Sequence, residues 1–495
     1  MSERHLAYTF GPLERRGLLG PIRAGQALLL AVGACGCVAV LDAAGRASSA
    51  LPLLALLAAL TAASFAPVRG RTLAQWLPIA LAFWFRRRRG RAFRSPVATA
   101  GARWSPAGRG VALELPRPHP PARLGELRIV EIGYRGRALG ALSERAGRRL
   151  TAVLACRVDA FALLDPEAQQ RRLARWGLVL STAAGTSIRR LQWLERTVPA
   201  QGDELARWLH EQRDPALPPR GTPVVESYLE LISAGARVSQ EHEILVAVQV
   251  DASRLSDRGR EALAGELAEQ VQRVVRGLRD ADVSVLGALS PGQLARLLRT
   301  SFDPYARAEL AALEAAGADG GLDEVNAWPL GTRECWDHHH TDGALHATYW
   351  IASWPRTGVS PMFMDSLLGQ AAAVRTVAVT FEPLAPERST REVEAAITRD
   401  RADRELRARF GQAETARHRQ AAEATARREA ELAAGHAEVR LAGFVTVSGR
   451  DGGDLRRACA EVAEHAARAR LELHRLYWQQ AEAFTFTLPL CRGLA

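Results

Sequence analysis

The chain has 495 residues, of which 47% are hydrophobic and 24% charged, so it is long enough for about three domain-sized units with hydrophobic cores. All 65 basic residues are arginine, which excludes the P-loop signature and lysine Schiff-base chemistry because both need a lysine side chain. Most of the net charge of +11 falls within residues 1–100, where 13 arginines face three acids, a pattern typical of the cytoplasmic side of a membrane protein.

After a tail over residues 1–23, two charge-free segments predict a transmembrane hairpin over 24–68. The segments 24–41 and 47–68 extend roughly 27 and 33 Å at about 1.5 Å per residue, enough to cross a hydrocarbon core. Four arginines precede the first segment, one lies between the two, and eight follow the second. By the positive-inside rule we expect a multi-pass protein of the cell membrane with both termini in the cytoplasm.

Residues 69–95 predict an Arg-rich segment that lies in the membrane interface. Thr72–Phe85 is uncharged but contains Pro78 and is too short for a span, and Trp favours the headgroup level. The spacing i, i+3, i+4, i+7, i+8 and i+11 predicts one face of a helix, formed by Leu73, Trp76, Leu77, Ala80, Leu81 and Trp84. The side chains expected to contact lipid or the membrane surface are Trp76, Trp84, Arg86, Arg87, Arg88 and Arg89. For the arginines two interpretations remain open, an anionic-lipid clamp worth about 1 kcal/mol per Arg or a topology signal alone.

A Pro-rich linker is predicted over 96–123, followed by two α/β subdomains over 124–313 and 322–495, because strand-length apolar runs alternate with helical patterns. The predicted strands are Thr151–Val158, Ile188–Val198, Glu243–Val250, His346–Trp354, Val374–Phe381, Val439–Val447 and Phe484–Leu488. The predicted helices are 166–183, 203–212, 259–277 and a long segment over 386–433 that is one helix or two broken near Gly411. No repeat of fixed period is present. The predicted fold class is a membrane-anchored α/β (α+β) protein, with a two-helix hairpin before a cytoplasmic domain of alternating strands and helices.

The only conspicuous polar cluster is Cys335–Asp342, followed by His346. Imidazole and carboxylate groups can ligate Zn²⁺, but three consecutive His cannot all face one ion from a regular element, so the sequence favours a solvated loop. The six cysteines form no CxxC pair, which indicates a reduced compartment without disulfides. No nucleophile elbow or dinucleotide-binding glycine pattern occurs. The sequence therefore predicts no catalytic residue, no metal ligand and no cofactor.

Motifs in a fixed order run through nearly the whole chain. They are Tyr8–Gly11, Gly70–Leu77 leading into Phe85–Arg94, Ala344–Pro355, Val374–Pro383 and Leu471–Leu490. In this order they resemble a family of actinobacterial integral-membrane proteins of conjugative elements. The hairpin is similar to a PrgI-type membrane subunit, and the cytoplasmic part is similar to the N-terminal, non-ATPase domain of the TraC-type conjugation ATPase of the VirB machinery.

The resemblance implies a non-enzymatic inner-membrane scaffold of a conjugation or type IV secretion-like machine. Its expected partners are membrane lipids, other membrane subunits and a separate motor ATPase that docks near the C-terminal strand and the 386–433 segment. Self-association into a homo-oligomer is left open, and strong nucleic-acid binding by the soluble domain is not expected, since that part is near electrical balance. Two alternatives are a two-span subunit of a type VII secretion membrane complex and a membrane-bound metal-dependent enzyme that uses the loop from His338 to His346.

Overall fold

The computed structural model describes most of the chain from residue 67 onward. The described residues are 67–68, 71–88, 92–95, 120–158, 161–199, 240–255, 259–307, 327–355, 358–409 and 416–494, with single positions at 31, 35, 38, 227 and 310. They form two compact units. The smaller unit is Pro12–Arg91 with Tyr477–Gln479, and the larger contains Ala92–Leu476 and Gln480–Ala495. The predicted tail over 1–23 and most of the predicted linker over 96–123 lie outside the described residues.

The smaller unit is a short antiparallel ladder followed by one apolar helix. Strand β1 (Pro67–Val68) pairs with β2 (Arg71–Thr72), and helix α1 (Leu73–Arg88) follows directly. At the start of α1 the backbone N–H of Thr72 donates to Gln75 Oε1 at 3.2 Å, which is one half of a capping box. The helix ends in a run of arginines, whose positive charge suits the C-terminal end of the helix dipole. The helical character predicted for this segment is confirmed.

The larger unit is built on one thirteen-stranded antiparallel sheet. Its strands are β3 (Ala92–Arg94), β4 (Arg128–Tyr134), β5 (Arg137–Glu144), β6 (Arg149–Arg157), β7 (Ile188–Pro199), β8 (Gln240–Asp251), β9 (Ser284–Ala288), β10 (Gly331–Glu334), β11 (His339–Thr341), β12 (Ala344–Ser353), β13 (Arg375–Pro383), β14 (Val439–Gly449) and β15 (Glu472–Arg475). Across the sheet the order is β3-β10-β11-β12-β14-β13-β7-β8-β6-β5-β4, with β15 also paired to β12 and β9 also paired to β6.

The helices of the larger unit connect these strands. They are α2 (Pro166–Ala183), α3 (Arg260–Asp280), α4 (Pro291–Phe302), α5 (Pro386–Arg409), α6 (Ala416–Ala433), α7 (Gly452–Arg468) and α8 (Gln480–Phe484). The predicted strands that became β7, β13 and β14, and the predicted helix that became α2, are confirmed. The helix predicted over 203–212 lies outside the described residues.

Two halves of the larger unit repeat the same topology. In the first, β6-α2-β7-β8-α3-β9 places its strands in the order β9-β6-β8-β7. In the second, the strands β12, β13, β14 and β15 lie in the order β15-β12-β14-β13, with α7 as the second crossover. Both are split βαβ units of the ferredoxin-like kind. The antiparallel pairing of β7 with β13 joins the halves, so strands from both predicted subdomains share one sheet.

The sheet is covered on both faces, so its strands carry apolar side chains in both directions. Leu154 and Val248 pack with α3 on one face. Val153 and Ala247 pack on the other face with α4 and with Phe484 of the C-terminal segment. Helix α7 covers β12, β13 and β14 in a further cluster. Burial on both faces explains why several strands are continuous apolar runs in the sequence.

The sequence left α/β and α+β layers open, and the structure decides for α+β. Every described strand pair is antiparallel, because each crossover skips the strand that lies between the two it connects. The membrane-anchored part of the predicted fold class is wrong. The predicted two-helix hairpin is not seen. Residues 24–41 and 47–68 lie outside the described residues except at positions 31, 35, 38 and 67–68, and Pro67–Val68 form a strand instead of a helix end. No helix in the described ranges is both long enough and apolar enough to cross a bilayer.

The strand predicted over Phe484–Leu488 is also wrong. Its apolar residues alternate with threonines, but Thr485 and Thr487 are buried too, and the Thr487 hydroxyl lies 2.7 Å from Thr446 Oγ1. The segment therefore winds as the end of α8 and a 3₁₀ turn over Thr485–Thr487. Since Leu488 and Leu490 are buried in the core, the C-terminal segment offers no free strand edge, and the predicted docking of a partner there loses its basis.

Candidate membrane-surface site

Helix α1 packs one face against Tyr477–Gln479 within the smaller unit. The buried Trp76 ring lies 5.1 Å from the Trp478 ring, edge-on, and 6.2 Å from the Tyr477 ring. Two arginines hold the ends of this contact: Arg71 Nη1 donates to Gln479 Oε1 at 3.2 Å, and Arg86 Nη2 donates to the carbonyl oxygen of Trp478 at 2.9 Å. Burial lowers the pKa of Arg71, whose guanidinium also lies 5.3 Å from the centre of the Trp76 ring. The inner face of α1 is thereby fixed.

The outer face of α1 is apolar and exposed. Four large side chains at the helical spacing i, i+4, i+7 and i+8 are between 44% and 57% exposed. They are Leu77, Leu81, Trp84 and Phe85. The Trp84 and Phe85 rings contact each other at 5.5 Å, edge-on. A contiguous apolar patch of this kind, followed directly by arginines, is typical of a surface that another apolar phase or partner covers.

The structure divides the residues that the sequence singled out for membrane contact. Trp84 belongs to the exposed face, whereas Trp76 is only 6% exposed and packs inward. Arg86 is bound to the backbone of Trp478. Arg87 and Arg88 are helical at the backbone, but their side chains are outside the described part of the chain, as is all of Arg89. Membrane contact by these residues stays a prediction.

The helical spacing placed Leu77, Leu81 and Trp84 on one face, as the structure does, but wrongly put Trp76 with them. Sequence reasoning missed Phe85 and the role of Arg71. Trp76 and Trp84 lie eight positions apart, which places them about 80° from each other around a helix, so the same pattern cannot tell which one packs against Tyr477–Gln479. The available signal was the Tyr477-Trp478 pair far along the chain, but nothing local connects it to α1.

The polar segment from His338 to His346 is a β-hairpin and not the predicted solvated loop. Strands β10 and β11 pair around a turn in which the backbone N–H of Cys335 donates to the carbonyl of His338 at 2.8 Å. His339 and His346 lie opposite each other in the β11–β12 ladder and are buried. The prediction was wrong because both imidazoles enter the core, where packing and hydrogen bonds replace water.

His346 is held by hydrogen bonds at both ring nitrogens. Nδ1 lies 2.8 Å from Ser448 Oγ, and Nε2 lies 2.9 Å from Thr341 Oγ1 and 3.0 Å from the carbonyl of Phe302. Burial lowers the pKa of His346 to about 4, and burial with repulsion from the neighbouring histidines lowers the pKa of His339 to about 3. Both are therefore neutral structural groups at neutral pH. Over the described ranges, no group of three or more His, Cys, Asp and Glu side chains is arranged to hold a metal ion.

Comparison with known proteins identifies one related family. Residues 238–351 match the sequence profile of the family "Putative type VII ESX secretion system translocon, EccE". The match spans β8 through most of β12, which is the end of the first split βαβ half and the start of the second. No curated protein matches the chain.

This match corrects the identification made from sequence motifs. The relation to conjugative-element membrane proteins, to PrgI-type and TraC-type subunits and to type IV secretion is wrong, since the matching family belongs to type VII secretion. Of the quoted motifs, only the one beginning at Ala344 overlaps the matched range, and it extends beyond it. The order of short motifs was thus a weak guide. The similarity favours the type VII alternative.

Proposed function

We propose that this chain is a non-enzymatic structural subunit of a type VII-like secretion translocon that associates with the membrane surface through the outer face of α1. The similarity of residues 238–351 to the EccE family is the observation that carries the proposal. The apolar outer face and the arginines after it support the membrane contact. The absence of lysine from the sequence supports a role in which another subunit supplies any P-loop ATPase activity.

The size of the outer face is sufficient for reversible membrane contact. Four large apolar side chains that are each about half exposed would contribute on the order of 4 kcal/mol when the rest of their surface leaves water. Each arginine near an anionic surface would add about 1 kcal/mol. Trp84 at the helix surface suits the headgroup region, where an apolar ring with an N–H group is stable.

Substitution in the outer face tests the membrane contact. We expect Leu77→Ser combined with Leu81→Ser to lower the partition coefficient of the full chain onto anionic vesicles by roughly 30-fold, about 1 kcal/mol for each half-exposed leucine. Vesicle flotation measures the bound fraction. The matched control is Leu178→Ser combined with Leu286→Ser, because these leucines are 62% and 64% exposed on other elements. Equal losses in both double variants, or none in the first, would contradict the assignment of α1.

We also propose that the helical pair α5 and α6 contacts neighbouring translocon subunits, among them the motor ATPase. Each helix forms an ion pair with a residue outside the pair. Glu392 of α5 lies 2.5 Å from Arg440 of β14, and Arg428 of α6 contacts Glu438. Within the pair, Thr425 Oγ1 donates to Asp400 Oδ2 at 3.1 Å. Many of their described side chains are exposed, so the pair offers a polar surface to a partner.

Site-specific crosslinking in native membranes tests this partner surface and the translocon assignment together. A photo-crosslinking residue at Arg391 of α5 should capture other subunits of a type VII system, identified by mass spectrometry. The control position is Glu167 of α2, since both side chains are at least 80% exposed in similar surface ion pairs. The proposal would be overturned if both positions captured only copies of this chain or no protein at all. Equal capture from both would overturn the choice of α5 and α6.

A further inference from the structure

The turn between β10 and β11 brings a thiol, an imidazole and a carboxylate together. The turn residues are Cys335, Trp336, Asp337 and His338. Cys335 is partly exposed, whereas Cys156, Cys459 and Cys491 are buried. The backbone N–H of Cys335 donates to the carbonyl oxygen of His338 at 2.8 Å, which places the thiol beside the His338 imidazole on the same turn. The same imidazole is bound on its Nδ1 by Asp337 Oδ1 at 2.8 Å.

An arginine from another strand fixes the carboxylate end of this group. Arg475 of β15 donates from Nε to the backbone carbonyl of Asp337 at 2.7 Å, and its Nη2 lies 3.8 Å from Asp337 Oδ2. The Arg475 guanidinium also lies 5.7 Å from the centre of the Tyr349 ring of β12. Contacts from outside the hairpin therefore hold the turn in place. The arrangement of the Cys335 thiol, the His338 imidazole and the Asp337 carboxylate does not depend on the turn alone.

The charges around the thiol favour its ionised form. The pKa of Cys335 is lowered, chiefly by its interaction with the His338 imidazole and less by Arg333, while partial burial of the thiol and the charge of Asp337 oppose the shift. The pKa of His338 is raised, chiefly by Cys335 and further by Asp337. The buried thiols behave in the opposite way: burial raises the pKa of Cys156 to about 12 and also raises those of Cys459 and Cys491.

We propose that Cys335 is a nucleophilic thiolate, paired with His338 and held by Asp337, and that hydroperoxides oxidise it reversibly. The thiolate sulfur attacks one peroxide oxygen, so an S–O bond forms while the O–O bond breaks. Sulfur loses two electrons, and the peroxide is reduced as the departing oxygen takes the proton of the His338 imidazolium and leaves as water or an alcohol. A low-molecular-weight thiol then displaces water from the sulfenic acid and forms a mixed disulfide.

Alkylation of the full chain tests the thiolate. Iodoacetamide labelling at a series of pH values, with each cysteine followed by peptide mass spectrometry, should give a midpoint for Cys335 below the ordinary thiol value of about 8.5. We expect His338→Gln to move that midpoint upward, and each unit of movement lowers the thiolate fraction at neutral pH about tenfold. Asp337→Asn removes a charge that opposes the thiolate, so it should move the midpoint by less and in the opposite direction. The cysteines buried in the described core serve as internal references and should react only after denaturation.

Peroxide treatment tests the oxidation step separately. After stoichiometric hydrogen peroxide, a sulfenic-acid probe such as dimedone should label Cys335 in the parent chain, and at least about tenfold less in His338→Gln. Thermal melting of each variant shows whether it is folded, and His338→Asn takes the place of His338→Gln if that variant is not folded. A parent midpoint at the ordinary thiol value, or labelling that is equal in the parent chain and in the folded His338 variant, would overturn the proposal.

Discussion

Replacement of Arg190 by alanine is expected to lower the free energy of unfolding by about 3 kcal/mol or more. Arg190 is buried and donates from Nε and Nη2 to Glu382 Oε2 at 3.0 and 2.9 Å. It also donates to the backbone carbonyls of Cys491 at 3.3 Å and Leu494 at 2.9 Å. The substitution leaves a buried carboxylate without this partner and removes two of the hydrogen bonds that join the C-terminal segment to β7, where those of Gln192 remain. Urea denaturation of the larger unit measures the loss.

An exposed pair of the same chemistry provides the control. Arg273 and Glu269 lie one helical turn apart on α3 at 2.6 Å, and both side chains are about half exposed. Arg273→Ala should cost less than about 0.5 kcal/mol, because water screens and solvates both charges. Arg190→Met combined with Glu382→Leu should recover much of the loss, since it removes both buried charges. If Arg190→Ala and Arg273→Ala lowered the free energy of unfolding equally, burial of the Arg190–Glu382 pair would not add to its contribution to stability.

Stability should also fall as the pH drops from about 6.5 toward 4, because His339 and His346 are buried in the neutral form. An unfolded histidine takes up a proton near pH 6.5, whereas in the folded chain the pKa is about 4 for His346 and about 3 for His339. Between these values the unfolded state binds more protons, so acid favours unfolding. At pH 5 each histidine would cost about 2 kcal/mol relative to pH 8. Thermal or urea unfolding across this range measures the slope.

Other titrating groups act in different pH ranges or with the opposite sign. The carboxyl pKa values of Asp251 and Glu243 are lowered despite burial, by hydrogen bonds and by arginines, so their stabilising contribution is lost only below about 4.5. His338 has a raised pKa, so its contribution is present at low pH and is lost as the pH rises through that value. The decline between 6.5 and 4 is therefore assigned to His339 and His346.

Glutamine substitution separates the buried histidines from their exposed neighbour. His346→Gln keeps hydrogen-bonding groups but cannot take up a proton, so it should reduce the slope between pH 6.5 and 4 by about half. The control is His340→Gln, because His340 is exposed in the neighbouring strand β11 and is only a minor cause of the low pKa values of His339 and His346, so it should change the slope far less. A slope that is the same in the parent chain and in His346→Gln would show that His346 is accessible to protons in the folded state.

Local chemistry determined several elements from the sequence alone. Helix α2 was predicted with its observed bounds, because Asp165 accepts from the backbone N–H of Ala168 at 2.8 Å as an N-cap and Pro166 suits the first helical position. Strand β13 was predicted within two residues of its ends, since it is rich in β-branched residues. Strand β7 was predicted within one residue of its ends, although four of its twelve side chains are charged. Trp84 was correctly expected on a helix, and the structure places it on the exposed face of α1.

Only the tertiary structure decided how these elements pair and which side chains they bury. The two split βαβ halves share no repeat that is visible in the sequence, because a topology requires only that strands and helices recur in order. Trp76 became buried through Trp478, and His346 became buried through Ser448 and Phe302, contacts that lie tens to hundreds of residues away along the chain. Sequence periodicity reports which residues share a face of one element. It does not report which other element packs against that face, because that contact is made by segments far away along the chain.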